Sequence, residues 1–307
     1  MSFVRNAGHL LWRSPYVLLV LTALFWSGNF VIGRAVHGAV PPVALAFWRW
    51  TGGFALVIAF AAPHLRRDLP ELLRHWRLVL LLSALGVATF NTLVYIGLQS
   101  TTAINALLMQ SAMPLVILLC SFLLFRERAG TMQLIAVLVS LVGVLVIACR
   151  GSPLAIADTA VDVGDLWVFC AVVSYAVYSV LLRRRPAVHP LSFVAATFAL
   201  GAVMLLPFHV WETLAGAPMR WTDVAIAAVV YVALFPSLLA YLCFNRGVEL
   251  IGANRAGQFV HLMPAFGTVL AIVFLGEDVH LYHAIGIALI GLGIGLAVTR
   301  RAPPPSP

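Results

Sequence analysis

"SAMPLVILLCSFLLFRER", residues 111–128, and "HLMPAFGTVLAIVFLGED", residues 261–278, stand 150 residues apart in one frame. Extended without a gap, that offset sets Gly97 over Gly247, Ala106 over Ala256, Met113 over Met263, Pro114 over Pro264, Glu127 over Glu277, Gly143 over Gly293 and Arg150 over Arg300. Two apolar segments often agree by chance, but not in a gapless Gly, Met-Pro, Glu, Gly frame. The chain therefore reads as two copies of one unit, residues 1–150 and 151–307.

Each copy belongs in a membrane. The chain is 62% hydrophobic with a mean hydropathy of +1.01, far above the roughly 45 to 50% apolar content of soluble domains. Its apolar residues fall into ten runs, near 16–36, 42–63, 78–98, 103–125, 131–149, 164–183, 190–211, 223–244, 253–275 and 281–299. Each is long enough, at about 1.5 Å per helical residue, to cross a hydrocarbon core of about 30 Å. The expected fold is an all-α membrane protein of ten transmembrane helices. Five crossings per copy turn the second copy upside down relative to the first, so the two five-helix halves form an inverted repeat. Such halves place a solute site near the midplane and switch access by rocking one bundle against the other. The first run continues through about twenty residues with no small-residue cleavage pattern and reads as a retained helix.

The basic residues are all arginine and the net charge is +8, yet their placement speaks against nucleic acid. They flank the helices. Arg66, Arg67, Arg74, Arg77, Arg126, Arg128, Arg183, Arg184, Arg185 and Arg246 share the side of both termini, whereas the other side holds only Arg34, Arg150 and Arg220. The positive-inside rule then puts both termini in the cytoplasm. Cys120, Cys149, Cys170 and Cys243 lie inside apolar runs without metal or redox spacing and are expected as small packing residues.

Matching breakers occur in the two halves. Pro114 lacks the N–H that would bond the Gln110 carbonyl, and Pro264 likewise frees that of Val260. Gly86 corresponds to Pro236. These four positions read either as bends closed by neighbouring helices or as hinges around one cavity.

"ALFWSGNFVIGRA" (23–35), "PPVALAFWRW" (41–50), the "RER" of 126–128 and the "AxxAxxxxxxMP" frame of both copies resemble the EamA family of the drug/metabolite transporter superfamily. The likeness covers about residues 16–299. It implies ten helices in a five-plus-five inverted repeat, in a bacterial inner membrane, and export of amino acids and other small metabolites. The second copy departs from the first, with "VSYAVYSVLLRRR" (173–185) against "LFWSGNFVIGRA", so an asymmetric pocket is expected.

Polar side chains inside apolar helices need a partner or a wet cavity. Asn91 and Tyr95 share a helical face, and the offset places Tyr241 opposite Asn91. Gln110 lies one turn before Pro114, next to Met109. Asn254, Gln258 and His261 form a stripe, and Trp26 with Asn29, and Tyr175 with Tyr178, complete the set. Each residue alone reads equally as interhelical bonding. Together they describe a mostly apolar pocket for a small neutral or zwitterionic solute, an amino acid with an aromatic or apolar side chain being favoured.

Arg49 stands inside the second run, where it is read as snorkelling, as pairing with a helix-end carbonyl, or as attracting a substrate carboxylate. Glu127 and Glu277 are expected to lock helix ends to neighbouring arginines or backbone amides, and only His261 could titrate near neutrality at depth. With no clear carboxylate in the spans, the expected energetics are facilitated movement without an ion. A membrane enzyme would call for paired carboxylates, a serine with a base, or metal spacing, none of which appears in the spans. A nucleotide-sugar or lipid-linked solute carrier on the same scaffold is the alternative. It would need several cavity-facing cations, for which Arg49 and Arg255 are the candidates. No cofactor, metal or nucleic-acid partner is expected; the partners are the small solute and membrane lipid, with a monomer as the simplest state.

Overall fold

In the computed structural model, which describes residues 12–101, 103–127, 129–149, 162–275 and 280–298, the chain runs through ten helical stretches with no strand among the described residues. They are α1 (Pro15–Ala35), α2 (Pro42–Arg74), α3 (Trp76–Ser100), α4 (Ala103–Gln110 and Met113–Phe125), α5 (Thr131–Ala148), α6 (Val163–Leu181), α7 (Pro190–Leu214), α8 (Asp223–Ile251), α9 (Ala253–Ala256, Gly257–His261 and Leu262–Leu275) and α10 (Leu281–Val298). Six of these, α1, α2, α3, α6, α7 and α8, are long and apolar enough to cross a membrane, while α5, α10 and the second piece of α4 are shorter apolar helices. Large apolar side chains such as Phe60, Leu123, Leu138, Val203 and Trp211 point outward and exposed. A soluble protein would not tolerate such a surface; lipid makes it neutral.

Two boundaries depart from the apolar runs: the eighth run, expected to end at residue 244, continues as α8 to Ile251, with Val248 buried while Glu249 and Leu250 are exposed. The second run was expected to end at residue 63, but α2 continues to Arg74 through Pro63 and Pro70. The added stretch "HLRRDLPELLR" is amphipathic: Leu65 and Leu72, two turns apart, face the protein, whereas Arg66, Arg67 and Leu73 are exposed. Each proline removes one backbone bond, and the buried leucines hold the helix beyond it. Of the cysteines, Cys120 and Cys149 are buried but Cys170 is exposed on α6, which corrects the expectation that all four pack inside.

The helices pair as α2 with α7, α5 with α10, α3 with α6, α1 with α8, α4 with α6 and α1 with α9. Shifting every number by 150 residues carries this set of pairs onto itself. The α5–α10 seam shows it atom by atom. A Cβ on Gly143 would come 2.6 Å from the Gly286 carbonyl oxygen, and one on Gly293 would come 2.6 Å from that of Ala136, the position equivalent to Gly286. Only glycine permits two helix backbones to approach so closely.

The four predicted breakers coincide with irregular backbone. Gly86 lies in a π-helical stretch, Ala84–Thr89, and Pro236 in another, Ala233–Leu239, so α3 and α8 widen at equivalent depths. At Ser111–Ala112 α4 breaks and restarts with Pro114 in its first turn. In α9 a 3₁₀ stretch, Gly257–His261, precedes the turn that holds Pro264. A π-bulge or an interrupted turn leaves carbonyls without their regular donors, and at membrane depth each needs another partner.

Helix ends are closed by side chains. Asp162 caps α6, accepting the Gly164 amide (2.7 Å), while Asp165 accepts that of Asp162 (2.9 Å). Ser100 and Thr101, at the end of α3, donate to Asp162 and Asp165. The Ser100 hydroxyl and the Gly164 amide hold the Asp162 carboxyl below its usual range. At the N-terminus of α2, where Pro41 and Pro42 offer no side-chain cap, Glu212 of α7 reaches across to accept the amides of Val43 (3.0 Å) and Ala44 (2.7 Å).

Candidate functional site

The centre of the bundle is organised by a cation that the predicted pocket did not include. Arg49, two turns into α2, is 1% exposed, so it does not snorkel. Its Nε donates to Ser237 Oγ (2.6 Å), Nη1 to Asn29 Oδ1 (2.7 Å) and Tyr95 Oη (2.9 Å), and Nη2 to the Pro236 carbonyl (3.1 Å). Its guanidinium lies over the Trp50 ring, 4.7 Å from the centroid. The carbonyl partner foreseen for it exists, but in the π-bulge of α8 and not at a helix end.

That bulge follows from Pro236. Lacking an N–H, the proline cannot give the Val232 carbonyl its regular α-helical bond, and the Ser237 hydroxyl donates to that carbonyl (2.6 Å). The Pro236 carbonyl, displaced from the regular ladder, accepts from both Arg49 and Trp26 Nε1 (3.1 Å). At the equivalent place in α3 the Gly86 carbonyl accepts from the Tyr241 hydroxyl. Each bulge thus receives a donor from the other half of the chain.

Around this hub stands a cluster of rings. Trp26 meets Tyr175 at 5.3 Å and Phe244 at 5.1 Å, Trp50 meets Phe198 at 4.7 Å and Tyr241 at 5.3 Å, and Tyr175 meets Phe90 at 4.5 Å and Tyr178 at 5.0 Å. No space for a water molecule remains between Trp26, Phe244 and Phe259. Tyr178 donates to Asn245 Oδ1 (2.9 Å). Asn91 and the Tyr175 hydroxyl both lie beside the Tyr241 hydroxyl, neither making a hydrogen bond of good geometry.

Trp26, Asn29, Asn91, Tyr95, Tyr175, Tyr178 and Tyr241 therefore come together around Arg49, whose role the sequence left open, with the missed residues Trp50, Ser237 and Asn245 among them. The remaining four predicted residues form a separate group at α4 and α9. Met109 is half-buried, Gln110 and Gln258 are buried with unbonded amide atoms, and His261 is fully buried. His261 Nε2 sits 2.8 Å from the Ser111 carbonyl and Nδ1 2.5 Å from Ser140 Oγ. A carbonyl only accepts, so Nε2 carries the proton and donates to Ser111, while the Ser140 hydroxyl, which also lies 3.0 Å from the Ala136 carbonyl, closes the Nδ1 side. Both ring nitrogens are then occupied. Asn254 is bonded to Ser121 (2.6 Å), so the stripe on α9 divides among different neighbours.

Below the rings a cavity of about 1490 Å³ opens between the ends of α4, α6, α8 and α10 and the starts of α5 and α9. Asn245, Val180 and Val248 line its deep part, and Glu127, Arg183, Arg185, Glu249 and Arg255 its mouth. Arg183 pairs with Glu127 (2.5 Å) and Arg185 with Glu249 (2.7 Å), as expected for Glu127 at a helix exit; Glu277 lies outside the described residues. Since Asn245 also bonds Tyr178, this hydrogen bond joins the lining of the vestibule to the aromatic cluster. Among the described residues no group of three His, Cys, Asp or Glu side chains is arranged to hold a metal ion.

Comparison with known proteins agrees with this architecture. Residues 13–149 and 162–299 each match the EamA-like transporter family. An uncharacterized transporter of Bacillus subtilis, YyaM, is 26% identical over 285 residues, covering 91% of this chain and 92% of that protein. An uncharacterized transporter of Archaeoglobus fulgidus is 25% identical over 288 residues, covering 93% and 98%. A solved crystal structure with 26% sequence identity superposes with a TM-score of 0.73 over 93% of this chain and 98% of the other.

Proposed function

The chain belongs to the EamA-like transporter family, and from that premise we propose that it exports small neutral or zwitterionic metabolites, foremost amino acids with apolar or aromatic side chains, by alternating access. The observation that carries the reading is the arrangement along the bundle: a charged vestibule, the Tyr178–Asn245 hydrogen bond at its floor, then a closely packed aromatic cluster with a few orienting polar groups. Such walls suit an apolar side chain, and the polar atoms without partners suit the backbone groups of an amino acid.

The two matched stretches are taken as five-helix repeats, residues 1–150 and 151–307, inverted about an axis in the membrane plane. The contact between His261 and Ser111 supports this, because they are equivalent positions and a residue can touch its own equivalent only near the axis that exchanges them. The arginine distribution supports cytoplasmic termini, which makes the vestibule face the cytoplasm. A relative in Salmonella typhimurium, 24% identical over 69% of each chain, is named an inner membrane transporter, and the same location is proposed here.

The alternative cargo, a nucleotide sugar, is disfavoured by the vestibule's ion pairs, which tie up Arg183 and Arg185. In proteoliposomes, counterflow is expected with a mixture of neutral amino acids and not with a mixture of sugar nucleotides; the reverse pattern would reject the assignment.

Energy coupling is proposed to be absent. The membrane potential does about 2.3 kcal/mol of work per charge per 100 mV and none on a zwitterion that moves alone. The buried carboxylates among the described residues, Asp165 and Glu212, sit at helix ends and are bonded to backbone amides. Dissipating the proton gradient should leave initial flux unchanged, whereas accumulation of solute driven by pH alone would establish proton coupling.

A further inference from the structure

A guanidinium buried in a membrane bundle is costly unless a charge compensates it. Arg49 is 1% exposed, and no ion pair reaches it among the described residues. All of its partners are neutral oxygens. They are also largely independent of it: the Tyr95 hydroxyl donates to Asn29 Oδ1 (2.7 Å), the Ser237 hydroxyl to Val232, and Trp26 to the Pro236 carbonyl. Withdrawing the guanidinium would leave few of these groups without a bond, so the exchange of Arg49 to a new acceptor has a small internal cost.

The second observation lies in the same ring cluster. The Asn91 carboxamide and the Tyr175 hydroxyl are fully buried, and beside the Tyr241 hydroxyl neither makes a hydrogen bond of good geometry. Buried groups of this kind carry a desolvation penalty unless a ligand satisfies them. A fixed cation and unsatisfied acceptors beside aromatic walls match the carboxylate, ammonium and side chain of an α-amino acid.

We infer that Arg49 is the anchor for a carboxylate on the transported solute, and that its clamp on Asn29 and Tyr95 is the contact which that carboxylate displaces. This rests on the amino-acid reading of the site and adds to it a selection rule and a trigger. The clamp ties α2 to α1, α3 and α8 in the half of the bundle away from the vestibule. A solute rising past Tyr178 meets Arg49 where the passage is shut. Bidentate pairing with the carboxylate takes the guanidinium from Asn29 and Tyr95, leaves those two bonded to each other, and frees α1 and α3 from α2. A solute whose carboxyl is an amide offers Arg49 no negative charge and does not open the clamp.

The test is counterflow in proteoliposomes of the full chain loaded with phenylalanine, reading initial uptake of labelled phenylalanine. Unlabelled phenylalanine and phenylalanine carboxamide serve as external competitors. The carboxamide should need at least about tenfold more for half inhibition, the scale of one charge-assisted hydrogen bond. Arg49→Lys, which keeps the charge and loses the fork, should weaken phenylalanine binding yet preserve the preference for the acid. Arg49→Gln should abolish the preference. Equal potency of acid and amide on the wild type, or an unchanged preference in Arg49→Gln, overturns the anchor; should the variants fail to insert, the wild-type comparison decides alone. Absence of counterflow by any neutral amino acid overturns the amino-acid reading and the anchor with it, while intact counterflow with equipotent competitors overturns the anchor only.

Discussion

Gly86→Val is expected to reduce transport to background while the protein still inserts and remains monodisperse. Gly86 sits in the π-helical stretch of α3 with the Tyr178 ring against its Cα, and a Cβ there would overlap that ring, standing 2.6 Å from Cε2 and 2.7 Å from Cγ. Tyr178 cannot retreat freely, because its far side packs on Tyr175 and its hydroxyl is held by Asn245. Its displacement breaks the Tyr178–Asn245 bond at the vestibule floor and disturbs the Gly86 carbonyl that receives Tyr241. Overpacking costs about 1 to 3 kcal/mol and a lost buried hydrogen bond about 1 kcal/mol more, so a change near 3 kcal/mol predicts a loss on the order of a hundredfold. Initial counterflow rate per reconstituted protein measures it. Transport within twofold of wild type would show that neither the ring's seat nor the bulge takes part in the cycle.

The largest effect on stability is expected at the α5–α10 seam. Gly143→Val and Gly293→Val each drive a side chain into the backbone of the opposing helix, against the carbonyls of Gly286 and Ala136. Backbone cannot rotate away as a side chain can, so the two helices must separate and lose the close contact along their length. A thermal midpoint in detergent lowered by roughly 5 °C or more is expected for each. Gly291→Val and Gly295→Val, on α10 where nothing lies within 4 Å of an added Cβ, supply the comparison and should leave the midpoint nearly unchanged. If all four behave alike, the seam is not a site of tight backbone packing.

Local sequence carried a good deal of this architecture. Apolar run length needs only the bilayer thickness and the helical rise to be read, and eight of the ten stretches follow the runs to within a few residues. The exceptions, α2 and α8, extend because residues beyond the run, Leu65 and Leu72 in α2 and Val248 in α8, keep a helical face toward the protein, which a search for apolar runs does not register. The positions of irregular backbone were legible for a similar reason, since a missing N–H or Cβ acts within one turn. Gly86, Pro114, Pro236 and Pro264 all lie in or beside such a stretch, although what each break accomplishes in transport remains a proposal to be tested by variants such as Gly86→Val.

The gathering of the site was less legible. The periodicity of α9 put Asn254, Gln258 and His261 on one stripe, but the 3₁₀ geometry of Gly257–His261 changes the angle between successive side chains and sends them to different neighbours. Arg49 carried a signal, as a cation well inside an apolar run, and the sequence left its role open among three readings. Ser237 and Asn245 carried none, because a small polar residue in a helix is ordinary until its neighbour is known.

What the sequence determined by itself was the number and placement of the apolar helices, the 150-residue repeat and the points at which the helices lose regularity, all consequences of composition and backbone chemistry within a turn or two. Tertiary structure decided which polar groups meet. Arg49 finds Asn29 20 residues away and Ser237 188 residues away, and Trp26 and Tyr241 reach bulge carbonyls 210 and 155 residues away. Such pairings depend on how helices cross and turn about their axes. A shift of one residue along a helix, about 100° of rotation, would send the same side chain into lipid, so the partners of Arg49 are fixed only when all ten helices are packed.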